Sequence, residues 1–198
     1  MNIKNINTVS FQGIEGANSH LASKKLFPKA KIITCETFEQ VFENVRKNKS
    51  DLGLIPVENS VAGRVAEIHS LMHKTPLKIV GEYFMKVELH LLGTEKINIK
   101  QIKNVRSHIH ALSQCKKFIK KNKVKTIISA DTALAAKEIR EENDPSESAI
   151  ASKLAAKIYN LKILKNLKII KRHLKPLKKE MFLFLIKKKI KNIIREKL

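Results

Sequence analysis

The chain has 198 residues and a formal net charge of +22, from 40 Lys and Arg against 18 Asp and Glu. That length holds one domain, or two small lobes sharing a core, and a hydrophobic fraction of 43% excludes a chain disordered throughout. No run of about 18 uncharged apolar residues exists, and the polar start MNIKNINT lacks the apolar stretch of a signal peptide, so the sequence reads as a cytoplasmic protein with no membrane partner.

The first half predicts alternating strands and helices. Asn7 to Phe11 is a short strand, Ala17 to Phe27 a helix stopped by Pro28, and Lys31 to Thr34 a second strand. Thr37 with Gln40 starts a helix through Arg46, with Phe38, Val41, Phe42 and Val45 on its apolar stripe. Asp51 to Pro56 follows as a buried strand. Ser60 then caps a helix that points Val61, Val65, Ile68 and Met72 inward and ends near Thr75-Pro76. This order implies α/β architecture: mostly parallel sheets with flanking helices.

Two extended runs in near succession, Leu77 to Tyr83 and Lys86 to Leu92, mark a crossing into a second lobe. Beyond them the pattern gives a strand at 103–107, a helix at 109–121, a strand at 124–129 and a helix from Thr132 capped by Asp131. A final helix from Ser148 to Tyr159 and a strand at 161–164 complete it. Two lobes, about 1–76 and 77–164, put a ligand cleft between them.

Charge is unevenly distributed. Residues 165–198 carry 13 basic and two acidic residues, a net of +11, so half the imbalance lies in about a sixth of the chain. Nothing before residue 165 resembles a nucleic-acid-binding motif, and ten aromatics leave few for base stacking, so no specific nucleic-acid partner is expected. Cys35 and Cys115 stand 80 residues apart, which excludes a disulfide scaffold and a CxxC metal knuckle. His69 and His73 have helical i, i+4 spacing, but the HExxH pattern is absent. Neither they nor His108, His110 and Cys115 complete a ligand set, and no metal is expected.

Four segments gather small and polar residues at strand-to-helix junctions, where free N–H groups and the helix dipole favour anions. They are FQGIEGANSH (11–20), PVENSVAGR (56–64), SHIHALSQC (107–115) and SADTALAA (129–136). Each alone reads as helix capping; together, at the carboxyl ends of strands, they suggest one anion site.

With DLGLIPVENSVAGRV, GEYF, VRSHIHALSQC, ADTALAAKEI and SAIASKLAAKIYNLKIL in this order, residues 7–164 resemble prephenate dehydratase. The resemblance implies two lobes like those of type II periplasmic binding proteins, and conversion of prephenate to phenylpyruvate without metal or organic cofactor. It also implies a homodimer. By the same resemblance, Glu58, Asn59 and Thr132 are expected to be catalytic, and Gly13, Asn18, Ser60, Ser107, His108, Gln114 and Ala133 to bind substrate. The family continues with an Asn-x-Thr-Arg-Phe motif and often a phenylalanine-sensing ACT domain. Here no threonine follows Thr132, and 165–198 leaves no room for an ACT domain. A frameshift near Ile169 to Lys171 accounts for that divergent basic segment and leaves a gap in the first lobe. The competing function is an inactive two-lobe module that binds a small carboxylate anion.

Overall fold

The computed structural model describes residues 6–59, 63–95, 97–167 and 180–187. The first five elements follow the predicted order: β1 (Thr8–Gln12), α1 (Asn18–Leu26), β2 (Lys31–Cys35), α2 (Phe38–Arg46) and β3 (Leu52–Asn59). β1 pairs in parallel with β2 and β3. Its Val9, Ser10 and Phe11 are all buried, as a strand covered on both faces must be. The one polar side chain among them is satisfied, because the Ser10 and Ser50 hydroxyls lie 2.9 Å apart. On α2 the Thr37 hydroxyl accepts from the Gln40 N–H at 3.3 Å, and Val41, Phe42 and Val45 form the buried stripe.

The next segment departs from the sequence reading. Gly63–Arg64 forms a short strand, β4, that turns back on Glu58 and Asn59, so α3 (Ala66–His73) begins later than Ser60. Ile68 is buried and Val65 and Met72 pack beside it as the spacing requires, while Ser60 and Val61 lie outside the described residues. β5 (Lys78–Lys86) belongs to the first sheet, whose order is β2-β1-β3-β11-β5, where β11 is Glu180–Lys187. The passage to the second sheet therefore falls after Lys86, not at residue 77.

β11 (Glu180–Lys187) lies between β3 and β5, antiparallel to both. The gap expected from a frameshifted tail is thus filled. Leu183, Leu185 and Ile186 are buried, which suits an apolar run covered on both faces. Neighbouring glycines make room for it. A Cβ at Gly53 would sit 2.9 Å from Ile186 Cγ1, and one at Gly81 would sit 3.1 Å from Leu185 Cδ1.

The second sheet is contiguous in sequence. It contains β6 (Leu89–Gly93), β7 (Asn104–Ser107), β8 (Lys125–Ile128), β9 (Glu147–Ala151) and β10 (Lys162–Leu167) in the order β10-β6-β9-β7-β8. Helices α4 (Ile109–Gln114), α5 (Lys116–Asn122), α6 (Thr132–Glu142) and α7 (Lys153–Ile158) connect them. The helix expected over Ser148 to Tyr159 is divided, since Glu147–Ala151 forms a fully buried strand and only the remainder is helical. Strand pairing overrides the helical preference of its alanines. The Ser148 hydroxyl donates to the Asn104 carbonyl at 2.7 Å, and Ser152 caps α7 by accepting from the Ala155 N–H at 3.0 Å.

Both sheets are mixed. β7 runs parallel to β8 and β9, whereas β6 is antiparallel to β9 and β10. The parallel pairs come from strand-helix-strand units, and antiparallel pairs enter where the chain crosses between lobes or returns. Cys35 and Cys115 are both buried. No helix among the described residues is long and apolar enough to cross a membrane.

Candidate functional site

Parallel pairing brings the ends of β1 and β3 to one end of the first sheet, and those of β7 and β8 to one end of the second. The two ends face each other. A Cβ built on Gly13, just past β1, would lie 3.6 Å from Asp131 Oδ2, just before α6. The first and fourth junctions of the sequence reading therefore meet across the lobe boundary.

The loop after β1 is held from both sides. Gly13 N–H donates to the Cys35 carbonyl at 2.8 Å, so this donor is committed to the fold. Gly16 N–H donates to His20 Nδ1 at 2.9 Å. From the second lobe, Ser152 Oγ donates to the Gly16 carbonyl and the Tyr159 hydroxyl to the Glu15 carbonyl, each at 2.8 Å. Burial pushes the Tyr159 phenol up from its ordinary pKa, with Asp131, Glu15 and Glu141 adding to the shift. Helix α1 then opens at Asn18, with no side-chain cap at Ala17 and no acidic residue in its first turn.

The third junction lies at the facing end of the second sheet. His108 caps α4, its Nδ1 accepting from the His110 N–H at 3.3 Å, which assigns the proton of the neutral ring to Nε2. Burial pushes His108 down from its ordinary pKa and His110 lowers it further, against the opposing charge of Asp131. Its Nε2 is therefore an N–H donor at neutral pH. Gln114 is buried on α4. Asp131 caps α6, Oδ1 accepting from the Leu134 N–H at 2.7 Å, with half-buried Thr132 as the first helical residue.

Two predicted binding residues have structural tasks. Ser107 is fully buried and its hydroxyl donates to the Ile150 carbonyl at 2.5 Å, clamping β7 to β9. Ala133 is also fully buried, and its Cβ would stand 3.4 Å from a Cβ at Gly16. Glu58 and Asn59 are half-buried at the end of β3, paired through the backbone with Arg64 and Gly63 of β4 on one side and with Phe182 and Met181 of β11 on the other. They share the sheet end from which the Gly13 loop departs. Ser60 lies outside the described residues. β11 opens with Glu180-Met181-Phe182, and no Thr-Arg-Phe occurs in residues 165–198. Sequence reasoning gave no role to His20, the last residue of the first junction segment, or to Ser152 and Tyr159, which lie within SAIASKLAAKIYNLKIL.

A sequence profile described as prephenate dehydratase matches residues 9–173. The chain belongs to the prephenate dehydratase family. The match runs past residue 164, where the sequence reading ended the resemblance. Among relatives, a bifunctional chorismate mutase/prephenate dehydratase of Buchnera aphidicola subsp. Acyrthosiphon pisum is 38% identical over 164 residues, covering 80% of this chain and 43% of that protein. An arogenate dehydratase/prephenate dehydratase of Arabidopsis thaliana is 38% identical over 156 residues, covering 79% and 41%. The chain thus spans less than half the length of these two curated relatives. Among solved structures, the quorum-quenching acylase GqqA has a TM-score of 0.84 at 30% identity, covering 96% of this chain and 67% of its own. Prephenate dehydratase from Arthrobacter aurescens, solved with L-Phe, has a TM-score of 0.83 at 22% identity, covering 96% and 63%, and bears on the fold.

Proposed function

We propose that this chain converts prephenate to phenylpyruvate. The ring carboxylate leaves as carbon dioxide, its bonding electrons enter the ring, and the C–O bond breaks to release hydroxide, which takes up a proton to give water. Formation of the aromatic ring drives the reaction, so the protein's task is to hold a dianion and assist hydroxide departure. The observation that carries this reading is the meeting of the Gly13 to Asn18 loop with the start of α6 across the lobe boundary, in a chain of this family.

In this reading Asn18 and the uncapped first turn of α1 receive a substrate carboxylate. Thr132, Gln114 and the Nε2–H of His108 supply further donors, while Glu58, Asn59 and Ser60 close the site from the end of β3. Gly13, Ser107 and Ala133 shape the site without donating side-chain groups to substrate. The reaction needs no cofactor, and the same reading includes a cytoplasmic homodimer.

The test is to incubate the purified chain with prephenate near neutral pH and follow phenylpyruvate absorbance, with arogenate in parallel because the Arabidopsis relative carries that name. Turnover that falls in Glu58→Ala and Asn59→Ala supports the assignment. Unchanged turnover in both refutes their roles, and calorimetric binding without turnover refutes the enzyme in favour of a carboxylate-binding module.

A further inference from the structure

We propose that His20 is a positioning residue that fixes the Gly16 peptide from inside the first lobe, and thereby sets how the substrate-binding loop docks on the second lobe. This rests on the site assignment above and deepens it. His20 is only 2% exposed, and its ring stacks on Phe11 with centroids 5.5 Å apart and planes 4° from parallel, so the ring is held in place. Its Nδ1 accepts from Gly16 N–H at 2.9 Å. The same glycine's carbonyl receives Ser152 Oγ, and the preceding carbonyl receives the Tyr159 hydroxyl. One short stretch of backbone is therefore gripped from the first lobe through its N–H and from the second through its carbonyls. The loop that His20 holds begins at Gly13 and delivers Asn18, and Gly16 leaves it no slack against Ala155.

Only a ring with an unprotonated Nδ1 can do this, since an imidazolium would turn a donor toward the Gly16 N–H. Burial pushes His20 down from its ordinary pKa, with Glu15 opposing the shift and Lys24 adding to it. From the second lobe, Asp131 lies against the Gly13 end of the same loop and Tyr159 against Glu15.

A merely packed histidine and a positioning one are separated by two variants of the full chain. His20→Leu keeps apolar volume without an acceptor, whereas His20→Asn puts an oxygen close to the Nδ1 position. Expected for wild type is the Nε2–H tautomer by nitrogen NMR and a protected Gly16 amide in hydrogen exchange. His20→Leu should speed Gly16 exchange and lower kcat/KM for prephenate about tenfold, chiefly through KM, the scale of one net hydrogen bond. His20→Asn should restore both. An Nδ1–H tautomer in wild type overturns the proposal even if no variant folds, and so does a folded His20→Leu with unchanged Gly16 exchange. Should wild type fail to turn over prephenate, the enzyme reading falls, and the tautomer and exchange measurements still decide the role of His20.

Discussion

Gly16→Ala is expected to destabilise the chain by more than the same change at Gly63, and the difference measures how tightly the lobes meet. Both glycines have positive φ, +94° at Gly16 and +86° at Gly63, so either substitution pays backbone strain on the order of 1–3 kcal/mol. Their surroundings differ. A Cβ at Gly63 meets nothing within 4 Å among the described residues, whereas one at Gly16 would lie 3.0 Å from Ala155 Cα, 3.1 Å from Ala155 Cβ and 3.4 Å from Ala133 Cβ. The nearest of these is backbone, which cannot rotate aside, so α7 or the loop must shift at a cost of about 1–3 kcal/mol. Urea unfolding of both variants against wild type should give a loss of about 2–6 kcal/mol at Gly16 and about 1–3 kcal/mol less at Gly63. Losses equal within about 0.5 kcal/mol would refute the close approach, since that is the usual error of comparing independent sites.

Gly53→Ala should cost about 1–3 kcal/mol by crowding Ile186 and Val41, whose Cγ1 atoms would each be 2.9 Å away. Ile186→Ala removes both crowding atoms of that side chain, so the double variant should lose less than the two single losses added together, and additivity within about 0.5 kcal/mol in urea unfolding would refute the seat given to β11. Arg106→Met removes the ion-pair partner of Glu147, bonded at 3.1 Å, and of Glu142, at 2.6 Å, leaving at Glu147 a buried carboxylate without that cation though still hydrogen-bonded by Asn104. A loss of about 3–5 kcal/mol is expected in urea unfolding, partly restored by adding Glu147→Gln. Stability should fall as pH drops below about 6.5. Burial holds His20 and His108 below the ordinary range, so in that window the unfolded chain binds more protons than the folded one and protonation favours unfolding. Asp51, which burial would raise but hydrogen bonds from Asn7 and Thr8 hold down, adds its loss at more acid pH. A urea midpoint that rose between pH 7.5 and pH 5.5 would contradict the histidine assignment.

Local chemistry made the first five elements legible, because each boundary carried its own signal: Pro28 after α1, Thr37 before α2, an apolar run at β3. The β9 strand was hidden for a physical reason. Buried on both faces, Ser148-Ala149-Ile150-Ala151 has no alternation to separate it from an alanine-rich helix, and its defining bonds go to Asn104 and from Ser107. β5 was misassigned because its partner, β11, lies in the basic segment read as out of frame. Within the candidate site, Gly13, Asn18, His108 and Asp131 could be seen as junction residues. The grips on their loop could not, since Ser152 and Tyr159 reach partners 136 and 144 residues earlier. The charge was legible in amount but not in meaning, since part of the segment carrying half of the +22 is a strand inside the first sheet.

The position of β11 also bears on the order in which the molecule can be completed as it leaves the ribosome. Among the described residues the second sheet uses only strands from residues 89–167 and can close once that stretch is available. The first sheet begins with the earliest strand of the chain yet lacks its member between β3 and β5 until residue 187 has been made. Domains ordinarily form from the amino-terminal end. Here the earlier-made lobe is the later one finished, and until then β3 and β5 each present an open edge of the kind on which chains misassociate.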